Sequence, residues 1–170
     1  MLSKSLSLKY NIVFFLFFNS IAFFAESEEL IIEIDNPKFS EKGLNDNIYE
    51  IKAKKGFKSN NELELLTVEG KFKLEKNGKW IYLEADKGNF SQVNNFIELE
   101  KDIIFYTDDD EKIYSNHATF DLDKDIINLN EGVSHENING LILSDSSIIS
   151  ENFSKIIYVG NVESILKNAK

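Results

Sequence analysis

A strand-turn-strand unit recurs along this chain at a spacing of about 30 residues, and no other feature constrains the fold as strongly. Ala85-Asp86-Lys87-Gly88-Asn89-Phe90 is echoed by Ser115-Asn116-His117-Ala118-Thr119-Phe120 and again by Ser144-Asp145-Ser146-Ser147-Ile148-Ile149. A polar turn follows each copy, and then an apolar run: Phe96-Ile97-Glu98-Leu99, Ile126-Ile127-Asn128-Leu129 and Ile156-Ile157-Tyr158-Val159. A degenerate earlier copy reads Ala53-Lys54-Lys55-Gly56-Phe57, followed by Leu63-Glu64-Leu65-Leu66. One hairpin has no way to bury its own apolar face, so units of this length stack on their neighbours. The pattern predicts an all-β, stacked architecture whose function is to be sought on its inside.

Composition then excludes several functions. A length of 170 residues with 42% hydrophobic side chains is enough for one domain and its core. Phe is abundant, at 14, and Arg is absent, which removes the side chain best suited to bidentate phosphate recognition. The formal charge is −10; because Lys4 and Lys9 are the only charges in residues 1–25, the remainder carries −12. Nucleic acid needs a basic footprint, so it is not an expected partner. With no cysteine there are no disulfides, thiolate metal sites or cysteine nucleophiles.

Lys4 and Lys9 precede an apolar block from Ile12 to Ala25, broken only by Asn19 and Ser20, and Glu26, Glu28 and Glu29 follow it. A basic start, an apolar middle and an acidic exit predict one N-terminal apolar helix that directs export. The block is shorter than the ~20 residues that span a bilayer comfortably, which favours a signal peptide. Ser20-Ile21-Ala22 offers small residues to a signal peptidase, whereas a helix begun at Leu6 would form a marginal anchor. Residues 1–25 are therefore read as a signal peptide or membrane anchor, and residues 26–170 as a single exported domain.

Along that domain, residues 26–35 read as a first strand ended by Asn36-Pro37, with the only proline marking an edge or turn. Phe39 to Asp46 is polar, and Ile48 to Ala53 alternates as a strand. Leu63 to Leu74 is one long alternation with a bulge or bend expected at Gly70. Asn77-Gly78 is the strongest hairpin signal and leads into Trp80 to Ala85. Further turns are expected at 92–95, 107–112, 123–125, 130–132, 137–140 and 151–155, a rhythm that suits a sandwich, barrel or roll.

Tests for chemistry find no catalytic constellation. Asp121-x-Asp123-x-Asp125 opens like a calcium loop, but Ile126 and Gly132 stand where such a loop needs Gly and Glu. Asp108-Asp109-Asp110-Glu111 reads as a charged hairpin tip. His117 and His135 are a pair without a third ligand, which is thin ground for zinc. Glu84 and Asp86 near Trp80 are read as strand-edge charges rather than a sugar-cleaving pair. No nucleophile elbow, phosphate loop or HExxH helix is present. The expectation is a non-enzymatic protein with no metal and no cofactor.

What remains is apolar surface. One face of the strands is expected to carry Ile81, Leu83, Ala85, Ile97, Leu99, Tyr114, Ala118, Phe120, Leu122, Ile127, Leu129, Ile157 and Val159. The other is expected to carry Tyr82, Phe96, Ile113, Ile126 and Ile156. Phe-rich inner faces suit either a filled sandwich core or a groove for acyl chains, bound by area at roughly 25 cal/mol per Å². The groove candidates are Ile51, Leu65, Phe72, Ile81, Leu83, Ile97, Leu99, Phe105, Ala118, Phe120, Ile127 and Leu129.

Asn36-Pro37-Lys38-Phe39-Ser40 followed by Asn47 to Ala53 resembles the opening of the LptC family, the inner-membrane-anchored periplasmic component of lipopolysaccharide export. Trp80 to Phe90 and Lys112 to Leu122 resemble the OstA-like repeat that LptC shares with its soluble relative LptA, and Val159-Gly160-Asn161-Val162 is similar to that repeat's glycine-bearing turn. The likeness covers about residues 31–166. It implies an open β-jellyroll of V-shaped antiparallel sheets on the periplasmic side of the inner membrane, or soluble in the periplasm if the leader is cleaved. It also implies partners: lipid A acyl chains of lipopolysaccharide, an inner-membrane Lpt ABC transporter and an LptA-like protein. Edge strands would dock those proteins by β-augmentation, with Ile156, Ile157, Tyr158, Val159 and Val162 as edge candidates.

Overall fold

In the computed structural model, residues 30–42, 48–73, 79–91, 93–151 and 153–167 are described. The expected N-terminal helix and the Asn77-Gly78 turn lie outside them. Among the described residues no helix is long and apolar enough to cross a membrane. The strands are β1 (Ile31–Asp35), β2 (Lys38–Lys42), β3 (Ile48–Ser59), β4 (Glu62–Lys73), β5 (Trp80–Ser91) and β6 (Phe96–Thr107). They continue with β7 (Lys112–Asp121), β8 (Ile126–Asn137), β9 (Gly140–Ser144), β10 (Ser146–Ser150), β11 (Lys155–Val159) and β12 (Glu163–Leu166). All belong to one antiparallel, open sheet. Successive hairpins place sequence neighbours side by side, as the recurring unit requires.

A flat sheet of this order would hold β3 and β7 four strand spacings apart, roughly 19 Å at 4.8 Å per strand. Yet the rings of Tyr49 on β3 and Phe120 on β7 lie 5.7 Å apart, and those of Phe72 on β4 and Phe120 lie 5.8 Å apart. The sheet is therefore folded on itself along a corner that crosses every strand near its middle. One layer takes β1, residues 55–59, 62–66, 87–91, 96–100, 117–121 and 126–130, with β10 and β11. The second takes β2, residues 48–53, 68–73, 80–85, 103–107, 112–115 and 133–137, with β9 and β12.

The corner is made of bulges. Positive φ falls at Asn36, at Thr67 in β4, at Lys101 and Asp102 in β6, at Glu131 and Gly132 in β8, and at Gly160 and Asn161 between β11 and β12. Register shifts flank the same line, between Glu84 and Lys87, Glu100 and Ile103, and Ser115 and His117. An inserted residue bends a strand and resets which side chains point inward. β6 and β8 share one burial pattern, two inward residues, a break, then two more: Ile97 and Leu99 before Ile103 and Phe105, Ile127 and Leu129 before Val133 and His135.

Several expectations change here. β4 bends at Thr67, not Gly70; Gly70 instead lies in register with Leu83, whose Cβ would be 3.2 Å from an added methyl group. Residues 130–132 are a corner inside β8 rather than a hairpin turn, and β2 occupies part of the stretch read as polar loop. The first strand is Ile31–Asp35, and residues 26–29 of the expected strand lie outside the described residues. Simple alternation carried through the corner also put Tyr114 inside and Ile113 outside. The slip between Ser115 and His117 reverses them: Ile113 is buried and Tyr114 exposed. Likewise Ile156 pairs with buried Ile149 and turns inward, so Ile157 and Val159 face out.

Candidate functional site

The recurring unit is one hairpin of the first layer, beginning at the corner. Its residues set the width of the space between the layers. Ala53, Ala85, Ser115 and Ser144 are buried where the layers converge. One step further, a row in cross-strand register alternates small and large: Gly56, Leu65, Gly88, Leu99, Ala118, Leu129 and Ser147. A Cβ on Gly88 would sit 3.2 Å from Leu99 Cδ2 and 3.3 Å from Val68 Cγ2, so the small residues make room for the leucines between them.

Away from the corner the space widens and aromatic rings fill it. Tyr49, Phe72 and Phe120 form a triangle of edge-on contacts, with centroids 5.4, 5.7 and 5.8 Å apart. Phe153, from the β10–β11 turn, lies 5.9 Å from Phe72 and 6.1 Å from Phe105. The Tyr49 hydroxyl donates to Asp125 Oδ1 at 2.8 Å, from the second layer to the β7–β8 turn of the first. All the groove candidates but one are buried in this interior; Ile51 is half-buried and packs against it. The structure thus brings the groove candidates together, with side chains occupying the space between them.

At the other end of the interior, buried His135 links three elements. Its Nε2 is 2.9 Å from Glu111 Oε1, and its Nδ1 bonds the hydroxyl of Tyr158 on β11. An imidazole that donates from Nε2 to the carboxylate accepts from the phenol at Nδ1, so every polar group is satisfied. The His135 hydrogen bond holds the Glu111 carboxyl below its ordinary range. Burial first, and the Glu111 charge second, push the Tyr158 phenol up to about 12. That phenol is anchored rather than activated.

The other polar candidates are dispersed. His117 points outward to Glu98 at 2.8 Å, in the opposite layer from His135. Asp121 accepts from Lys124, Asp123 from Asn95, and Asp125 from Tyr49, so the three carboxylates serve three separate partners. Asp109 in the charged hairpin tip pairs with Lys79. Glu84 accepts from the Tyr106 hydroxyl at 2.9 Å on the outer face, and Lys71 and Lys73 approach the Trp80 ring.

Among the described residues both edges of the sheet are open: β1 pairs only with β3 and β2 only with β3, while β11 pairs only with β10 and β12 only with β9. Among the edge candidates, Ile157, Val159 and Val162 are exposed, whereas Ile156 and Tyr158 face inward because side chains alternate along β11. Ile165 and Leu166 on β12, inside the 155–166 stretch that the resemblance implies as the C-terminal docking edge, are exposed, and sequence reasoning missed Ile31 and Ile32 on β1, exposed apolar residues at the other edge. Their signal was their place in terminal apolar runs. It also missed Tyr49, Phe153 and His135 as interior residues, since each acts through a partner far away in sequence. No family model matches this chain, and no curated protein matches it at a significant level.

Proposed function

We propose that this chain is a non-enzymatic lipid-carrying module, an OstA-like β-jellyroll that holds the acyl chains of lipopolysaccharide between its layers. In this reading it works on the periplasmic side of the inner membrane, tethered by its N-terminal segment or soluble once that segment is removed. It receives lipopolysaccharide from the Lpt ABC transporter at the β1–β2 edge and passes it to an LptA-like protein at the β11–β12 edge. One observation carries the reading: a folded sheet with an apolar interior ends at both sides in strands that, among the described residues, pair on one margin alone and bear exposed apolar residues. Such edges are usually blunted in soluble proteins. Left open at opposite ends, they suit modules that extend one another's layers. A net charge of −10 repels phosphorylated head groups, so affinity in this reading comes from acyl burial.

A photo-crosslinking residue placed at Phe120 or Leu129 in cells should label lipopolysaccharide, and one at Ile157 or Val159 should label a partner protein. Interior positions that stay dark in a folded protein, while edge positions label, would defeat the lipid role. The aromatic-filled mouth favours a second reading in that event: a structural β-stack whose interior is permanently closed and whose edges join copies into a surface assembly.

A further inference from the structure

The turn between β10 and β11 carries a conformational oddity. Phe153 has φ 61°, and Glu151 in the same turn has φ 53°. A bulky side chain in the left-handed region is a genuine outlier, and such strain persists only where surrounding contacts enforce it. Here the enforcing contacts are rings of the opposite layer. Phe153 leaves the first layer and reaches Phe72 and Phe105 of the second. The turn's own bond, from the Ser154 amide to the Glu151 carbonyl at 3.1 Å, closes the backbone but does not require a phenylalanine.

The surroundings make this ring the least costly one to expel. Tyr49, Phe72 and Phe120 sit on strands paired on both sides, and a hydrogen bond to Asp125 further ties Tyr49. Phe153 sits on the last hairpin of the first layer, where β11 has β10 as its single strand neighbour among the described residues. Moving this turn leaves the β3-to-β8 ladder untouched and gives up chiefly the Phe153 ring contacts. Tyr158, farther along β11, keeps that strand tied to His135.

We propose that Phe153 is a displaceable plug, occupying the slot that one long acyl chain takes between the layers, and that lipid leaves past the β10–β11 turn beside the C-terminal edge. The inference rests on the lipid-carrying reading and adds its exit point and its gate. The slot is apolar, with Phe72 and Phe105 against the Phe153 ring, which suits a hydrocarbon chain and not a head group. A ligand that must first expel a side chain binds more weakly by the fraction of time the slot is open. Removing the plug lifts that penalty.

The test measures binding of a pyrene-labelled long-chain fatty acid to the full chain and to Phe153→Gly and Phe153→Asn, since both replacements accept positive φ. Both variants are expected to bind the probe about tenfold more tightly than the parent. Displacement of the probe by purified lipid A, by free fatty acid or by both then reports which acyl source the slot accepts. If the parent binds and neither variant binds more tightly, Phe153 is only core filling and the plug is overturned, while the lipid-carrying reading stands. If circular dichroism finds parent and variants folded and none takes up the probe, the lipid-carrying reading fails and the plug with it. Should one variant misfold, the other decides.

Discussion

Leu129 is the residue whose removal tests the two-layer packing most directly. It is 0% exposed, and its register partners on either side are Ala118 and Ser147, among the smallest side chains in the interior. Replacing it with alanine removes three carbons, worth about 2.4 kcal/mol at about 0.8 kcal/mol per methylene. A cavity term adds to that loss when neighbours fail to collapse into the space. Ala118 and Ser147 have no length with which to do so, and the paired backbone on both sides holds the strands at fixed spacing. The total for Leu129→Ala should therefore fall near about 4 kcal/mol, in the upper half of the usual range for Leu→Ala. Against a net stability on the order of 5–15 kcal/mol, that lowers the thermal midpoint by roughly 10 °C. Leu143→Ala provides the control. Leu143 lies in register with Ser134 and Glu163 on the outer face of the second layer and should cost under about 1 kcal/mol. Urea melts of both variants supply the comparison. Equal losses, or a loss below about 2 kcal/mol for Leu129→Ala, would mean that the small-large row is not a closed packing layer.

Two further changes probe polar groups. Ser147 is buried and its hydroxyl has no hydrogen-bond partner among the described residues, so Ser147→Ala should be neutral or stabilising by up to about 1 kcal/mol; a clear loss of stability in a melt would reveal a partner for that hydroxyl. Glu111, its folded-state pKa lowered from 4.5 by His135, contributes stability present above the ordinary carboxylate value and lost as pH falls through the folded one. The stability difference between the parent and Glu111→Gln should thus shrink between pH ~5 and pH ~3, and a difference that grew on acidification would reverse the assigned sign.

The hairpins of the first layer were legible because each is local. Phe90 pairs with Ile97 and Phe120 with Ile127 across turns of a few polar residues, and period-two alternation within each half-strand reports which side is apolar. The turn after β10 was legible for the same reason. Groove candidates such as Leu65, Leu99 and Leu129 followed from that alternation. Tyr114 and Ile113 were exchanged because a corner between them and Ala118 resets the alternation, and nothing in the local sequence marks it. Thr67 is β-branched and disfavours positive φ, and Lys101 is no better suited; the ladders on either side impose the bend.

Sequence by itself determined that this protein is built of antiparallel strands in a recurring unit, with apolar side chains enough to fill one interior. Tertiary structure decided where the sheet folds, which half of each strand faces which layer, and that small residues gather at the corner while Tyr49, Phe72, Phe120 and Phe153 gather at the mouth. The division has a physical cause. Alternation and turn chemistry act over a few bonds, whereas the width of the space between layers exists only once strands distant in sequence have been brought face to face.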